Sequence, residues 1–387
     1  MGTDTGNSIL MTRGALDAVP EQLRKEFWSD TPPMTGDDVL QLPDGTRLIH
    51  VPRPAEVLRE RLGGLIHFDG DSRVVVEPDR RLFRVAPMFT EAREADRRDL
   101  PWNLRAVGVG GGKRQPTGKG AVVAVLDSGL DFGHPDFPQA EAKPPIVLDG
   151  PDAIDRNGHG THCAGIVAGP VRPAQLPRYG VAPDATLLVV NVYDGDGESS
   201  DWKLLRGLLA AHGEGAHVIS LSIGDVPSAQ CPEPSFIFEL VARVLMEYGT
   251  VIVAAAGNES DRMEPYIGAI VHPADCPSII AVASITEDLR PSRSSSGGIC
   301  KQRMPALCAP GVGIRSSFLT AGAGADGPYF TLSGTSAAAP HVAGVAALWV
   351  EAGYTGERLY KQLLGSVRAL SPKPERDFGA GLVQAPN

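Results

Sequence analysis

Residues 121–129 read Ala121-Val-Val-Ala-Val-Leu-Asp127-Ser128-Gly129: six apolar residues in succession, then a carboxylate, a hydroxyl and a glycine. The run does not alternate, so it predicts a strand covered on both faces, as in a parallel sheet between helices. Four similar runs follow at 186–192, 217–221, 251–255 and 279–283. Segments of helical character at 201–212, 235–248, 336–351 and 357–370 fill the intervals. Pro340 is expected within about the first turn of the third of these, where a missing N–H costs little. Strand and helix in alternation predict an α/β fold of three layers, a mostly parallel central sheet flanked by helices. Open sheets of this kind bind ligands at the carboxyl ends of their strands, which is where Asp127 falls.

Outward from that core the texture changes. Residues 1–98 are richer in Arg, Asp, Glu and Pro, with short apolar runs at 48–51 and 74–76, and read as a small amino-terminal extension. Residues 99–387 form the main domain, a division that a chain of 387 residues permits. The balance of 36 basic against 46 acidic residues gives a formal charge of −10, the wrong sign for a phosphate-backbone binder, so no nucleic acid is expected as partner. The five cysteines, at 163, 231, 276, 300 and 308, show neither a disulfide framework nor zinc spacing and suit a reducing compartment. The first residues lack the basic start and the apolar stretch of about 7 to 15 residues of a secretory leader. Nor does any run of about 18 apolar residues offer a membrane span, so the expectation is a cytoplasmic monomer. The cluster Gly108-Val-Gly110-Gly111-Gly112-Lys113 reads as a linker and not a phosphate loop, because Arg114 follows the lysine and no strand leads in.

Three islands set a chemically capable residue in a glycine-rich frame. The first is the strand ending at Asp127. The second is Asn157-Gly-His159-Gly-Thr-His162-Cys163-Ala-Gly165, a histidine between glycines at the start of a small-residue helix. The third is Leu332-Ser-Gly-Thr-Ser336-Ala-Ala-Ala-Pro-His341-Val-Ala-Gly344, a serine opening an apolar helix. A serine hydroxyl is a weak nucleophile near neutral pH; acyl transfer needs an imidazole to take its proton and a buried carboxylate to fix the imidazole's tautomer. Asp127, His159 and Ser336 supply those three groups. A helix amino terminus brings unpaired N–H groups to Ser336, and the amide of Asn258, in Ala254-Ala-Ala-Gly-Asn258, can complete an oxyanion hole. His162 and His341 are expected to be structural, and Cys163 to pack under the imidazole.

These islands, in the order Asp, His, Asn, Ser, resemble the subtilisin-type serine proteases, and the similarity runs over about residues 100–383. Pro101-Trp102, Gly180-Val-Ala-Pro183 and Phe378-Gly-Ala-Gly-Leu382 also resemble that family. The resemblance implies a subtilisin-like catalytic domain and a serine endopeptidase acting on peptide or protein substrates through an acyl-enzyme. Its substrate would lie as an extended strand between Gly197-Glu198-Ser199 and Ser222-Ile223-Gly224, with a pocket bounded by Ala255-Ala256-Gly257, Val271 and His272. Asp225 and Glu198 would give a modest preference for a basic side chain in one subsite; the alternative is that both are solvated surface acids.

No cofactor is expected. Asp136 matches an acidic calcium ligand of many subtilisins, but segment 169–179 lacks the asparagine-containing loop that would complete the site, and 194–198 fails the EF-hand spacing. Catalysis is therefore expected to be metal-free, with a structural calcium left open. Residues 72–82 resemble the closing strand of a subtilisin propeptide; the alternatives are an internal inhibitor and a permanent extension. Two rival functions stand beside hydrolysis: a peptide transferase or macrocyclase using the same acyl-enzyme, and a non-catalytic peptide-binding scaffold.

Overall fold

A computed structural model describes residues 4–12, 38–51, 55, 56, 58, 74–89, 100–110, 115–137, 144–148, 151–194, 197–225, 233–264, 266–299, 303–321, 323, 327–371 and 375–386. Its centre is a nine-stranded sheet in the order Val367–Arg368, Leu382–Val383, Leu307–Pro310, Ile280–Ile285, Val251–Ala255, Val218–Leu221, Val122–Asp127, Thr186–Asn191, Ile146–Val147. Every pairing is parallel except the outermost, where Val367 faces Val383. The five strands read from the sequence are all present, each within two residues of its expected ends.

The non-alternating pattern has the expected cause. Val123, Val125, Val189 and Val253 point into one hydrophobic core, which holds much of the helices His159–Ala168 and Thr335–Glu351. Their neighbours Ala124, Leu126, Leu188, Val190, Ile252 and Ala254 point into the other, beneath helices Asp201–Gly213 and Phe236–Glu247. Successive side chains go to opposite faces, and both faces are dry, at about 1.5–3 kcal/mol for each fully buried Val or Leu.

Two helical expectations need correction. The last long helix is Gly356–Gly365, not 357–370, because Val367–Arg368 leaves it to pair with the sheet edge. Pro340 lies at the sixth position of Thr335–Glu351, deeper than the first turn. The Ser336 carbonyl, deprived of an N–H four residues on, instead accepts from Ser222 Oγ at 3.1 Å and Cys163 Sγ at 3.5 Å. Gly108 and Gly110 lie in a turn after the short helix Trp102–Ala106; Lys113 is outside the described residues.

The amino-terminal strands Asp4–Thr12, Val39–Gln41, Arg47–Val51 and Val74–Arg84 build an antiparallel sheet that does not stop at its own edge. The far end of Val74–Arg84 runs on between two strands of the main domain. Arg81 and Leu82 pair with Ser200 and Ser199, and Phe83 and Arg84 pair with Gly224 and Ile223. Two acids of this strand cap helices of the main domain. Glu77 accepts from the backbone N–H of Phe236 at 2.7 Å and from Ser235 Oγ, while Asp79 accepts from Trp202 N–H at 2.9 Å. Each thereby satisfies helix N-terminal donors and meets the positive end of a dipole.

Candidate active site

The carboxyl end of Val122–Asp127 delivers Asp127, 1% exposed, under the first residue of helix His159–Ala168. Both carboxylate oxygens lie 2.9 Å from His159 Nδ1. The Nδ1 proton is therefore donated to Asp127, and Nε2 is left with its lone pair. Burial pushes the imidazolium down, but the charge and hydrogen bond of Asp127 outweigh it and hold the His159 pKa well above 6.5.

The turn that aims His159 is held by Asp155. Its carboxylate accepts from the backbone N–H of Asn157, Gly158 and Thr161 at 2.8–2.9 Å, from Thr161 Oγ1 at 2.8 Å and from Ser128 Oγ at 3.0 Å. Gly158 caps the helix at φ 92°, where a Cβ would sit 2.4 Å from the Phe318 ring, so both space and backbone demand glycine.

Ser336 is the second residue of Thr335–Glu351, preceded by Gly334 at φ 149°. A Cβ on Gly334 would fall 2.7 Å from Asn258 Nδ2 and 3.3 Å from Ser336 Oγ, so the bare glycine leaves room for these two groups to converge. The orientation of Asn258 is fixed by Thr335, whose N–H and Oγ1 donate to Oδ1 at 2.9 and 3.1 Å. Nδ2 is thereby free to donate elsewhere, and its acceptor is the Ala86 carbonyl at 2.8 Å.

Cys163 packs where the sequence suggested, with Sγ 4.0 Å from His159 Nδ1 and burial raising its pKa. His162 contacts the Ile314 carbonyl, and burial pushes its pKa to about 3. His341 is held between the Ala337 carbonyl and Asn103 Nδ2, each at 2.8 Å, and burial pushes its pKa to about 4. Both rings stay neutral and serve the packing.

Ser199 and Ile223–Gly224 are the strand edges that take an extended chain, and Ser222 O accepts from Val85 N–H at 3.0 Å. Glu198 sits 3.7 Å from Arg81, and Gly197 borders the cavity between His159, Asn157, Ala86 and Pro87. Val271 lies against both Gly224 and Gly257. Ala255 and Ala256 have no exposed surface and belong to the two cores, so only their backbone is available to a ligand. His272 Nε2 lies 2.9 Å from Asp201 Oδ1. Asp225 pairs through its backbone with His272.

Asp136, which resembles a calcium ligand, is already satisfied by protein donors. Asp136 Oδ2 accepts from Tyr179 and Tyr329 hydroxyls at 2.7 and 2.8 Å, and Oδ1 from Ala174 N–H at 2.8 Å. Three donors on one buried carboxylate do not fit a calcium shell of oxygen ligands. Among the described residues Cys163, Cys276 and Cys308 are free thiols; Cys231 and Cys300 lie outside them.

Sequence reading missed three contributors: Asp155, Thr335 and the segment around Ala86. An acid just ahead of a helix start is a capping signal that could have found Asp155. Thr335 adjoins the nucleophile candidate. The Ala86 contact depends on a strand register between distant segments, which no local pattern encodes.

Comparison with known proteins adds the family. Residues 118–381 match the model described as the subtilase family. Thermitase of Thermoactinomyces vulgaris is 34% identical over 250 residues, 62% of this chain and 79% of thermitase. M-protease of Shouchella clausii strain KSM-K16 is 34% identical over 250 residues, 64% of this chain; that alignment spans only 59% of M-protease. The crystal structure of fervidolysin from Fervidobacterium pennivorans, a keratinolytic enzyme related to subtilisin, superposes with a TM-score of 0.70 at 23% identity, covering 98% of this chain and 60% of fervidolysin. With a family match over most of its length, this chain belongs to the subtilase family.

Proposed function

We propose that the chain is a serine endopeptidase in which Ser336 attacks a peptide carbonyl. His159 Nε2 takes the hydroxyl proton and later returns it to the leaving amine, while Asp127 holds the tautomer and stabilises the imidazolium. Asn258 Nδ2 and the Ser336 N–H hold the oxyanion, and water then releases the acyl group from Ser336. The observation that carries this reading is the buried Asp127–His159 pair at 2.9 Å, together with an asparagine whose amide oxygen is held by Thr335 so that Nδ2 is the donor. No metal takes part. The test is digestion of an unstructured protein with product masses recorded: hydrolysis adds one water per cut, whereas a transferase joins fragments without that water and a binding scaffold leaves the substrate whole.

Asn258→Ala is expected to lower kcat by about 10²–10³-fold, the loss that removing the equivalent donor causes in subtilisin itself. KM should change little, because the donor acts on charge that develops only in the transition state. A loss under about tenfold would remove Asn258 from the oxyanion hole.

The pH profile follows from the Asp127 pair. The reaction needs His159 neutral, and its conjugate acid is held well above 6.5, so kcat/KM is expected to climb through the alkaline side of neutrality. Asp127→Asn removes the charge that raises this pKa, so its rising limb should move toward acid while the maximum falls. A wild-type limb centred at or below 6.5 would contradict the pairing.

The amino-terminal region acts as an internal occupant of the substrate groove. Support comes from segment 81–85, which pairs with both groove walls, and from the Ala86 carbonyl on the oxyanion donor.

A further inference from the structure

Away from the catalytic groups, three side chains with metal-ligating atoms meet beneath the groove. A ring nitrogen of His272, a carboxylate oxygen of Asp275 and Cys276 Sγ lie within 4.8 Å of one another, and all three residues are buried. Asp201 Oδ1 lies 2.9 Å from His272 Nε2 and accepts its N–H, which directs Nδ1 toward Asp275. Phe238 braces the ring edge-on at 4.8 Å between centroids. A carboxylate behind an imidazole is the usual outer support of a metal-bound histidine.

Asp275 Oδ1 is the second, independent sign. It has no hydrogen-bond partner although Asp275 is only 7% exposed. Its distance of 3.7 Å from His272 Nδ1 is too long for a hydrogen bond. Two ligand atoms each about 2.0–2.2 Å from a tetrahedral zinc stand roughly 3.3–3.6 Å apart, so the His272–Asp275 pair is already near that spacing, and Cys276 Sγ, within 4.8 Å of both, would close in on it. Cys276 Sγ makes only a long contact to the Ser235 carbonyl at 3.7 Å.

We propose that His272, Asp275 and Cys276 bind one borderline-soft divalent cation of the zinc class. A nitrogen, oxygen and thiolate donor set selects such an ion over calcium or magnesium, which prefer oxygen alone. The ion's role is structural. The His272 backbone pairs with Asp225 at 2.9 and 3.1 Å, next to the Ile223–Gly224 wall; Asp201 directly follows the Ser199–Ser200 wall; and Cys276 touches the cap of helix Phe236–Glu247. One cation would tie both walls of the groove to that helix. The competing occupant is a second proton on His272: burial opposes it, but the charge and hydrogen bond of Asp201 win and set the pKa at about 9.

Cobalt(II) titration of the full-length Ser336→Ala chain, which cannot digest itself by the proposed mechanism, reads the site by absorption. The expected result is one equivalent bound, with a near-ultraviolet thiolate band and intense visible bands of tetrahedral cobalt. Those bands should vanish in Cys276→Ala, persist in Cys163→Ala, and need at least about tenfold more cobalt in Asp275→Asn. Circular dichroism checks the fold of each variant. Should Cys276→Ala fail to fold, alkylation of Cys276 in the unmutated site, read by peptide mass, should be slowed by zinc(II). The proposal is overturned by the absence of binding, by a pale octahedral spectrum, by bands that follow Cys163, or by alkylation indifferent to zinc; His272 is then a plain imidazolium between two carboxylates.

Discussion

Ser336→Ala is expected to lower kcat by about 10⁶-fold, the scale on which loss of the nucleophile acts in subtilisin, while leaving the protein folded. The two halves of that statement have separate grounds. The hydrogen bonds that tie Ser336 into its surroundings run through its carbonyl, to Ser222 Oγ and Cys163 Sγ, and alanine keeps both. Loss of Oγ removes the atom that forms the acyl bond, and no neighbour replaces it: Cys163 is buried on the Nδ1 side of His159, away from the nitrogen that accepts the proton. His159→Ala should cost nearly as much, and the double variant scarcely more, because groups that act as one unit are not additive. The measurement is kcat/KM on a peptide together with labelling by a serine-directed fluorophosphonate. Labelling of Ser336→Ala, or activity within about a hundredfold of wild type, would move the nucleophile elsewhere.

What the sequence makes legible here depends on how local the cause is. Val122–Asp127 and Val251–Ala255 are readable because each is an unbroken apolar run up to its carboxyl end, as burial on both faces favours. Asp127, His159 and Ser336 stand out in the sequence because each lies in a frame of small residues, and Gly158 and Gly334 show one physical cause: a Cβ at either would meet the Phe318 ring or Asn258. The end of helix Gly356–Gly365 was misread because its stop is set by sheet pairing of Val367, a contact with residue 383. Pro340 was placed too early because its tolerance lies in Ser222 and Cys163, which stand in for the missing N–H from far along the chain. The proposed occupation of the groove by residues 81–87 is legible only as one alternative, from the resemblance of 72–82 to a propeptide strand; its register is not, because Arg81 and Ser200 are neighbours only through strand pairing.

That occupation sets up the second large effect. Replacing Pro87 with alanine is expected to make the full-length chain cut itself near Ala86 and to raise kcat/KM toward added peptides by on the order of 10²-fold. The strand register and the oxyanion donor disagree about which bond is presented. Val85 is 5% exposed, packs with the core that contains Ala255 and Val271, and gives its N–H to Ser222, as the residue filling a pocket would. Asn258 nevertheless holds the carbonyl one residue later, that of Ala86. The bond at the oxyanion position is thus Ala86–Pro87, a tertiary amide whose nitrogen is locked in a ring with φ near −65°. A cavity also separates this stretch from His159. Pro87→Ala turns that bond into an ordinary secondary amide and frees the backbone to settle one residue back. While uncut, the tethered strand competes at an effective concentration of roughly millimolar, so substrate at micromolar levels is largely excluded. After a cut, the fragment keeps the Glu77 and Asp79 caps and the Arg80–Asp201 ion pair at 2.9 Å, and leaves only as these open. Intact mass over time gives the cut site, and loss of the cut in Pro87→Ala/Ser336→Ala shows that it is self-inflicted. A Pro87→Ala chain that stays whole with unchanged kcat/KM would make residues 81–87 a permanent structural strand.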